Sequence, residues 1–175
     1  GLRFPKYFIR PADRPPTGRR TERGHAERLA PMVASALAKA GVSIADLTRV
    51  GVVVGPGGFT GVRVALSFAR GLGVGTGIAI VGVTSLAALA AEHWNDGLTA
   101  PIIDARRGQV YAGLYGKGGE TLLPPFVAEP KEAMKIIAKK VAGRPVRVIG
   151  SGAGLIGAAS ATWAARTWTT ACWAC

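Results

Sequence analysis

The chain has 175 residues, of which 49% are hydrophobic and 18% charged, a balance that is typical of globular proteins and excludes an intrinsically disordered chain. This length suffices for one domain with a core, or for two small lobes that share one. Its 22 Lys and Arg residues against 10 Asp and Glu residues give a net charge of +12, which favours contact with nucleic-acid phosphates.

Residues 1–20 hold six basic residues and one acidic residue, so they contribute +5 of the +12. Their four prolines and lack of periodicity predict a disordered basic arm, and no apolar run there is typical of a signal peptide. The longest uncharged span, Gly71 to Ala91, predicts a loop, a buried strand and a capped helix rather than a membrane span, because glycines divide it. We expect a soluble, cytoplasmic protein that does not contact a membrane.

The first predicted helix covers residues 25–40. It ends at Gly41, and Ser43 then caps a short turn that ends at Leu47. Its apolar face is formed by Leu29, Val33, Ala36, Leu37 and Ala40.

A β-branched run from Val50 to Val54 predicts a buried strand. A glycine turn breaks it, and a helix begins at Thr60 with one apolar face. Strand, turn and helix direct backbone N–H groups at one point, where an anion can bind. The apolar face of this helix consists of Val62, Leu66 and Ala69.

The glycine turn lacks the Lys-Ser or Lys-Thr pair of a Walker loop and the third glycine of a dinucleotide fingerprint. Phosphate contact and a plain tight turn therefore both stay open. Arg63 could bind a phosphate, pair with a carboxylate of a partner, or simply be solvated. The candidate nucleotide or phosphate loop consists of Gly55, Pro56, Gly57, Gly58, Phe59, Thr60, Gly61 and Arg63.

The next unit is predicted as a strand from Ile78 to Val83 and a helix from Thr84 to Glu92, with Thr84 or Ser85 as N-cap. Ser85 is also a candidate nucleophile. It lacks a G-x-S-x-G elbow and a histidine nearby in sequence, so capping is favoured.

A hairpin is predicted from Pro101 to Lys117, with its turn at Arg106-Arg-Gly-Gln and with Tyr111 and Tyr115 on one face. Asp104 is its only acid, which indicates a turn or salt-bridge residue rather than acid–base catalysis. For Arg106 and Arg107, contact with RNA phosphate, contact with a partner subunit and solvation stay open.

Lys131 to Val141 predicts a basic amphipathic helix, for which a solvated face is favoured over nucleic-acid contact. The predicted inward residues are Met134, Ile137, Ala138 and Val141, and the outward residues are Lys131, Lys135, Lys139 and Lys140.

Val146 to Ile149 predicts a last strand, followed by a second glycine turn at Gly150 to Gly154. Cys172 and Cys175 lack the further ligands or βαβ setting of a zinc or redox site.

The motif GPGGFTGVR at 55–63 closely resembles the loop of the bacterial TsaB (YeaZ) family, the dimerisation subunit of the machinery that makes threonylcarbamoyladenosine beside the tRNA anticodon. Three further stretches resemble the family in its order: Arg23–Met32, Gly82–Leu86 and Ile103–Tyr111. The resemblance covers about residues 21 to 152 and implies an α/β architecture with a mixed sheet, the actin-like (RNase H-like) ATPase fold.

Family members open with a strand that bears an Asp-Thr pair, which residues 1–20 lack. The tail after Gly154 has three Trp, two Cys and no amphipathic pattern. We therefore expect a basic arm (1–20), an actin-like domain (21–154) and an atypical tail (155–175), with both ends out of frame or otherwise altered. Reading the coding DNA in its other frames tests this, because an Asp-Thr strand should appear upstream of Glu22.

The resemblance implies a non-catalytic scaffold that pairs with and activates the catalytic (TsaD-type) subunit, works with the ATPase (TsaE-type) subunit and meets tRNA through the complex. Alone it would form a homodimer, and ATP or ADP binding is possible in the complex. The alternatives are a glycoprotease-like peptidase, tested by a peptidase assay with and without chelator, and a stand-alone nucleotide-binding module, tested by ATP affinity.

The catalytic relatives hold a metal with two histidines four residues apart on a helix. Here Leu29 stands four residues after His25, so we expect no metal site. The first helix and the one starting at Thr60 are expected to form the subunit interface, because paired apolar helices can build a four-helix bundle with a partner. The expected interface residues are His25, Leu29, Met32, Val33, Leu37, Val62 and Leu66.

Overall fold

The computed structural model describes residues 25–159, with side chains described for 29–157. Its helices are α1 (His25–Ala40), α2 (Phe59–Thr76), α3 (Ser85–Ala90), α4 (Pro130–Val141) and α5 (Ala153–Ala159). Its strands are β1 (Arg49–Val53), β2 (Ala79–Val83), β3 (Leu98–Arg106), β4 (Gln109–Tyr115), β5 (Thr121–Ala128) and β6 (Val146–Ile149). The predicted arm at 1–20 lies outside the described residues, as does the predicted tail except for 155–159, which belong to α5.

The described residues form two compact units. The first, 25–52 with 63–81, contains α1 and most of β1, α2 and β2, and the two strands pair as a two-stranded sheet. Beside β1, a 3₁₀ turn over Ile44–Asp46 begins at the predicted cap, Ser43. The Ser43 hydroxyl and backbone N–H donate to the Asp46 carboxylate, both at 2.7 Å, and these hydrogen bonds hold the pKa of Asp46 below its ordinary value.

Helix α2 is longer than predicted, since it continues to Thr76 through the glycines that indicated a loop. Gly73 shows why this helix carries glycine: a Cβ there would lie 2.9 Å from Cγ1 of Ile80. A side chain at this position would push the helix away from β2, so the close approach outweighs the poor helix propensity of glycine.

The prediction that β1 and β2 are buried strands was wrong. Val52 is the only buried residue of β1, and β2 has only exposed and half-buried positions, with Val81 44% exposed. Continuous apolar runs usually indicate strands covered on both faces, but here the run belongs to a two-stranded sheet with an exposed side.

The second unit, 53–62 with 82–159, is built on a four-stranded sheet in the order β5-β4-β3-β6. The β3–β4 and β4–β5 pairs are antiparallel, whereas β3 and β6 are parallel. The predicted α/β architecture with a mixed sheet is therefore confirmed.

Successive side chains of β4 point to opposite faces of the sheet, and each face carries a hydrophobic cluster. Helices cover both of these apolar faces. Ile102, Leu114 and Ile137 are fully buried on the face covered by α4 and α5. On the opposite face, Leu86 of α3 packs with Tyr115, and Tyr111 lies at the edge of the same cluster. The predicted common face of the two tyrosines is confirmed.

Strand β5 was not predicted, because Pro124 and Pro125 interrupt its sequence and proline is confined to sheet edges and bulges. The structure satisfies both conditions. β5 is an edge strand, and the prolines fall where the β4–β5 register shifts, between Leu123 and Phe126.

Helix α4 corrects one predicted inward residue: Ala138 is exposed and Ala133 is fully buried instead. The core face follows a single i, i+4 row through Ala133, Ile137 and Val141. Met134 lies at the border of this row and is half-buried.

We expect Ile137→Ala to lower the free energy of unfolding by about 2–5 kcal/mol, because it leaves a cavity in the core. Ile137 is fully buried, whereas the adjacent Ile136 is 36% exposed. The matched change Ile136→Ala should therefore stay within about 0.5 kcal/mol of the wild type. Urea denaturation of both variants measures the difference, and equal losses would contradict the described orientation of α4.

None of the helices between 25 and 159 combines the length and hydrophobicity that a membrane crossing requires.

Candidate functional site at the glycine-rich loop

The predicted strand, glycine turn and helix are present in the structure. β1 ends at Val53 and α2 begins at Phe59. Gly55 is buried at the start of the turn and has a φ of 103°, which favours glycine, and its peptide bond to Pro56 is cis. The N–H of Val62 donates to the carbonyl of Gly58 at 3.1 Å, which closes the first turn of α2.

The start of the glycine loop is held against the β2–α3 junction by two backbone hydrogen bonds. The N–H of Val54 donates to the carbonyl of Val83 at 2.9 Å, and the N–H of Ser85 donates to the carbonyl of Gly55 at 2.8 Å. At Gly82 a Cβ would lie 2.9 Å from Cγ1 of Val54, so glycine is needed at this contact. The motifs around 55–58 and 82–86 therefore form one local structure.

Thr84, rather than Ser85, is the N-cap of α3. Its hydroxyl accepts a hydrogen bond from the N–H of Ala87 at 3.1 Å and lies 3.4 Å from the hydroxyl of the buried Tyr115. The two hydroxyls connect the cap to β4, a contact the sequence analysis missed. The sequence indicated only that Tyr111 and Tyr115 lie on the same face of their strand, and not that Tyr115 contacts Thr84.

We expect Thr84→Val to lower the free energy of unfolding by about 1 kcal/mol, because it removes the cap oxygen while keeping the side-chain volume. Thr84→Ser is the matched control, since it retains the oxygen, and should lose less than half as much. Urea denaturation followed by circular dichroism measures both. If the serine variant loses as much as the valine variant, the hydroxyl is not the stabilising group.

The outer part of the glycine loop is exposed. Gly57, Gly58 and Thr60 are exposed, and the ring of Phe59 is 69% exposed at the start of α2. Gly61 and Arg63 are exposed in the first turns of the same helix. Backbone N–H groups at this helix end and one arginine suit an anion, but no carboxylate belongs to the loop to hold the Mg²⁺ of a nucleotide. The donor set thus fits an anion and not a complete Mg²⁺–nucleotide site.

A second glycine turn packs against the end of β3. The N–H of Gly152 donates to the carbonyl of Ile102 at 3.0 Å, and the N–H of Asp104 donates to the hydroxyl of Ser151 at 3.2 Å. A Cβ at Gly150 would overlap the carbonyl oxygen of Ile102. Ser151, which the sequence analysis missed, fixes the backbone of the predicted hairpin at Asp104.

The β3–β4 hairpin has a two-residue loop, since Arg106 pairs with Gln109. Arg107 and Gly108 have φ values of 53° and 77°, as a type I′ turn requires. The carboxylate of Asp104 accepts a hydrogen bond from the N–H of Arg106 at 2.7 Å. Asp104 is therefore the predicted turn residue, and both arginines are exposed at the tip.

The predicted interface residues differ in exposure. Met32 is 65% exposed, Leu37 is buried, and the others with described side chains (Leu29, Val33, Val62 and Leu66) are half-buried. His25 begins α1, and its side chain lies outside the described residues. Among the predicted interface residues with described side chains, Met32 is therefore the most exposed.

His93 and Asp96, which follow α3, belong to a small polar cluster. Nδ1 of His93 lies 3.1 Å from the carboxylate of Asp96, which lies 3.5 Å from Nη2 of Arg147. Among the residues 29–157, the hydroxyl of Ser85 makes no hydrogen bond to His93, and no three His, Cys, Asp or Glu side chains are grouped to hold a metal.

Comparison with known proteins gives three related findings. The family model described as "TsaD: tRNA N6-adenosine threonylcarbamoyltransferase" matches residues 17–149. The chain is 39% identical over 134 residues to the tRNA threonylcarbamoyladenosine biosynthesis protein TsaB of Bacillus subtilis, covering 74% of this chain and 57% of that protein. The chain is also 38% identical over 121 residues to TsaB of Escherichia coli, and this match covers 62% of this chain and 52% of that protein.

Among solved structures, the chain is similar to YeaZ from Pseudomonas aeruginosa, with a TM-score of 0.66, 32% identity and coverage of 76% of this chain and 64% of that chain. The chain spans about half the length of the curated relatives it matches.

Proposed function

Since the chain belongs to the TsaB/YeaZ branch of the tRNA N6-adenosine threonylcarbamoyltransferase family, we propose that it is a non-catalytic scaffold for threonylcarbamoyl transfer. Its target would be the adenosine beside the tRNA anticodon. In this role it pairs with the catalytic subunit and activates it. The observation that carries the proposal is the match to two proteins named for threonylcarbamoyladenosine biosynthesis.

The positions of the polar residues support a scaffold role. Thr84 caps α3, Asp104 closes a hairpin turn, and His93 pairs with Asp96 at 19% exposure. Among the described side chains, His93 and Asp104, which a peptidase could use as base or acid, therefore have structural partners. The catalytic residues for the transfer would come from the partner subunit.

We place the subunit interface on α1 and on α2. Met32 presents 65% of its surface on α1, and Val74 presents 90% on α2, so both helices of the first unit carry exposed apolar side chains. Burying such surface is the main favourable term in association. One surface of this kind serves a homodimer, which reuses the same patch on both copies, and a heterodimer with a related subunit.

Further members of the complex follow from this pairing. The ATPase (TsaE-type) subunit and tRNA would join through the heterodimer, in the cytoplasm, and ATP or ADP would bind only in that assembly. The glycine loop contributes an anion contact through the N-terminal end of α2 and Arg63. No chemical step is assigned to a nucleotide on this chain.

Co-expression of the chain with a catalytic threonylcarbamoyltransferase subunit, followed by size exclusion, tests the proposal. A stoichiometric complex is the expected result. The same experiment is repeated with a version that carries the family's Asp-Thr opening strand. If neither version elutes with the catalytic subunit, the scaffold function is wrong.

A further inference from the structure

Helix α4 presents a row of lysines on the side opposite its buried face. Lys131, Lys135 and Lys139 are all exposed and recur at i, i+4 and i+8, so their Cα atoms are about 6 Å apart along one line of the helix. The core row of Ala133, Ile137 and Val141 fixes α4 on the sheet. The three lysines, here called the lysine ridge, are thus held by a rigid element.

The lysine ridge has no counterion among the residues whose side chains the structure describes. Within the residues 29–157, none of its side chains forms a hydrogen bond or an ion pair with another side chain. Like charges at i, i+4 repel and destabilise a helix, so the ridge costs stability in the isolated chain. The acidic residues of this segment, Glu129 and Glu132, are confined to the start of α4, and every charged residue in 135–144 is basic.

Further positive charge extends the ridge at both ends. At the end of α4, Nε of Arg144 donates to the carbonyl of Val141 at 3.0 Å, which fixes the arginine beside the exposed Lys140. At the start, Val110 pairs with Ala128, two residues before α4 begins. This register puts the β3–β4 turn, with the exposed Arg106 and Arg107, at the end of the sheet where α4 starts.

We infer that the lysine ridge binds the phosphate backbone of RNA, and within the proposed function, on which this inference rests, that RNA is the tRNA substrate. Regularly spaced lysines on a rigid helix neutralise successive phosphates and release their counterions. RNA fits this surface better than a protein partner does, because protein interfaces are depleted in lysine and enriched in aromatic residues. Ile136, at 36%, is the only large apolar side chain that is exposed in α4.

The test is the affinity of the full chain for an unmodified tRNA transcript, measured by fluorescence anisotropy at 50–200 mM salt. The variant is Lys131→Gln/Lys135→Gln/Lys139→Gln, in which glutamine preserves helix propensity. The matched control removes the same charge elsewhere: Lys39→Gln/Arg49→Gln/Lys117→Gln. All three proteins keep residues 1–20, so the basic residues there contribute equally.

We expect the ridge variant to bind tRNA about tenfold more weakly and to show a log affinity–log salt slope about 2 units shallower, as loss of three phosphate contacts predicts. The control should change both quantities much less. Equal losses in the two variants would overturn the inference, because the binding would then follow net charge alone. No measurable binding by the wild type at 50 mM salt would also overturn it.

Complex formation with the catalytic subunit is measured on the same variants and separates this inference from the proposed function. A ridge variant that forms the complex but loses tRNA affinity supports the inference. If the variant still forms the complex and its tRNA affinity is unchanged, the inference that the lysine ridge binds RNA is wrong, and the scaffold function is unaffected. Loss of the complex with unchanged tRNA affinity identifies the ridge as a protein interface and also overturns the inference.

Discussion

Met32→Asp is expected to weaken both the proposed homodimer and the proposed complex with a catalytic subunit by about 100-fold or more. Met32 is 65% exposed on α1, so its replacement should leave the isolated chain folded. In an interface, the new carboxylate would be buried without a partner, which costs about 3 kcal/mol or more, and each 1.4 kcal/mol corresponds to about tenfold in affinity. Sedimentation velocity over a concentration series measures the homodimer, and co-purification measures the complex.

Ala34→Asp is the matched control, because it adds the same charge to an exposed position on the opposite side of α1. It should leave both assemblies intact. The combined change of Leu29 and Val33 to Asp is a less clean test, since both side chains are half-buried and their loss would also disturb the first unit. If Met32→Asp and Ala34→Asp assemble equally well, the interface lies elsewhere.

Gly150→Ala is expected to lower the free energy of unfolding by about 3 kcal/mol or more. Gly150 has a φ of 101°, and a Cβ there would overlap the backbone carbonyl of Ile102. Positive φ alone costs a non-glycine residue about 1–3 kcal/mol. The overlap adds to this, because a paired backbone carbonyl in a strand has little freedom to move. Urea denaturation followed by circular dichroism measures the loss.

Gly154→Ala provides the comparison for this variant. Gly154 is exposed in α5, and a Cβ there would meet nothing within 4 Å. Alanine favours a helix over glycine by about 1 kcal/mol, so this variant should be as stable as the wild type or slightly more stable. Similar stabilities for the two variants would contradict the described packing of the second glycine turn against β3.

Periodicity was sufficient to predict most of the elements. The prediction of helix 25–40 matches α1, and the prediction of strand 146–149 matches β6. Three errors have one cause: the sequence shows which residues are apolar but not what covers them. Ala133 and Ala138 are both apolar and lie about 140° apart around the helix axis, so only the sheet decides which of them is buried. The exposure of Val81 and the continuation of α2 through Gly73 likewise depend on tertiary neighbours.

For the candidate site, sequence motifs located the parts but not their connections. The glycine loop and the Gly82–Leu86 stretch were identified separately, and the structure joins them through the hydrogen bond from Ser85 to Gly55. The contact of Thr84 with Tyr115 spans 31 residues, and that of Asp104 with Ser151 spans 47. Such long-range pairs leave no periodic signal in one sequence, so only the fold shows them.

From the connectivity of the four-stranded sheet we expect a definite order of folding in the second unit. β3, β4 and β5 follow one another through short loops, so little chain entropy is lost when they pair. β6 reaches β3 only after β4, β5 and α4 have intervened, and pairing across such a separation is slow. We therefore expect the Gly150 turn to form late, so that its contacts slow unfolding of the unit more than they speed its folding.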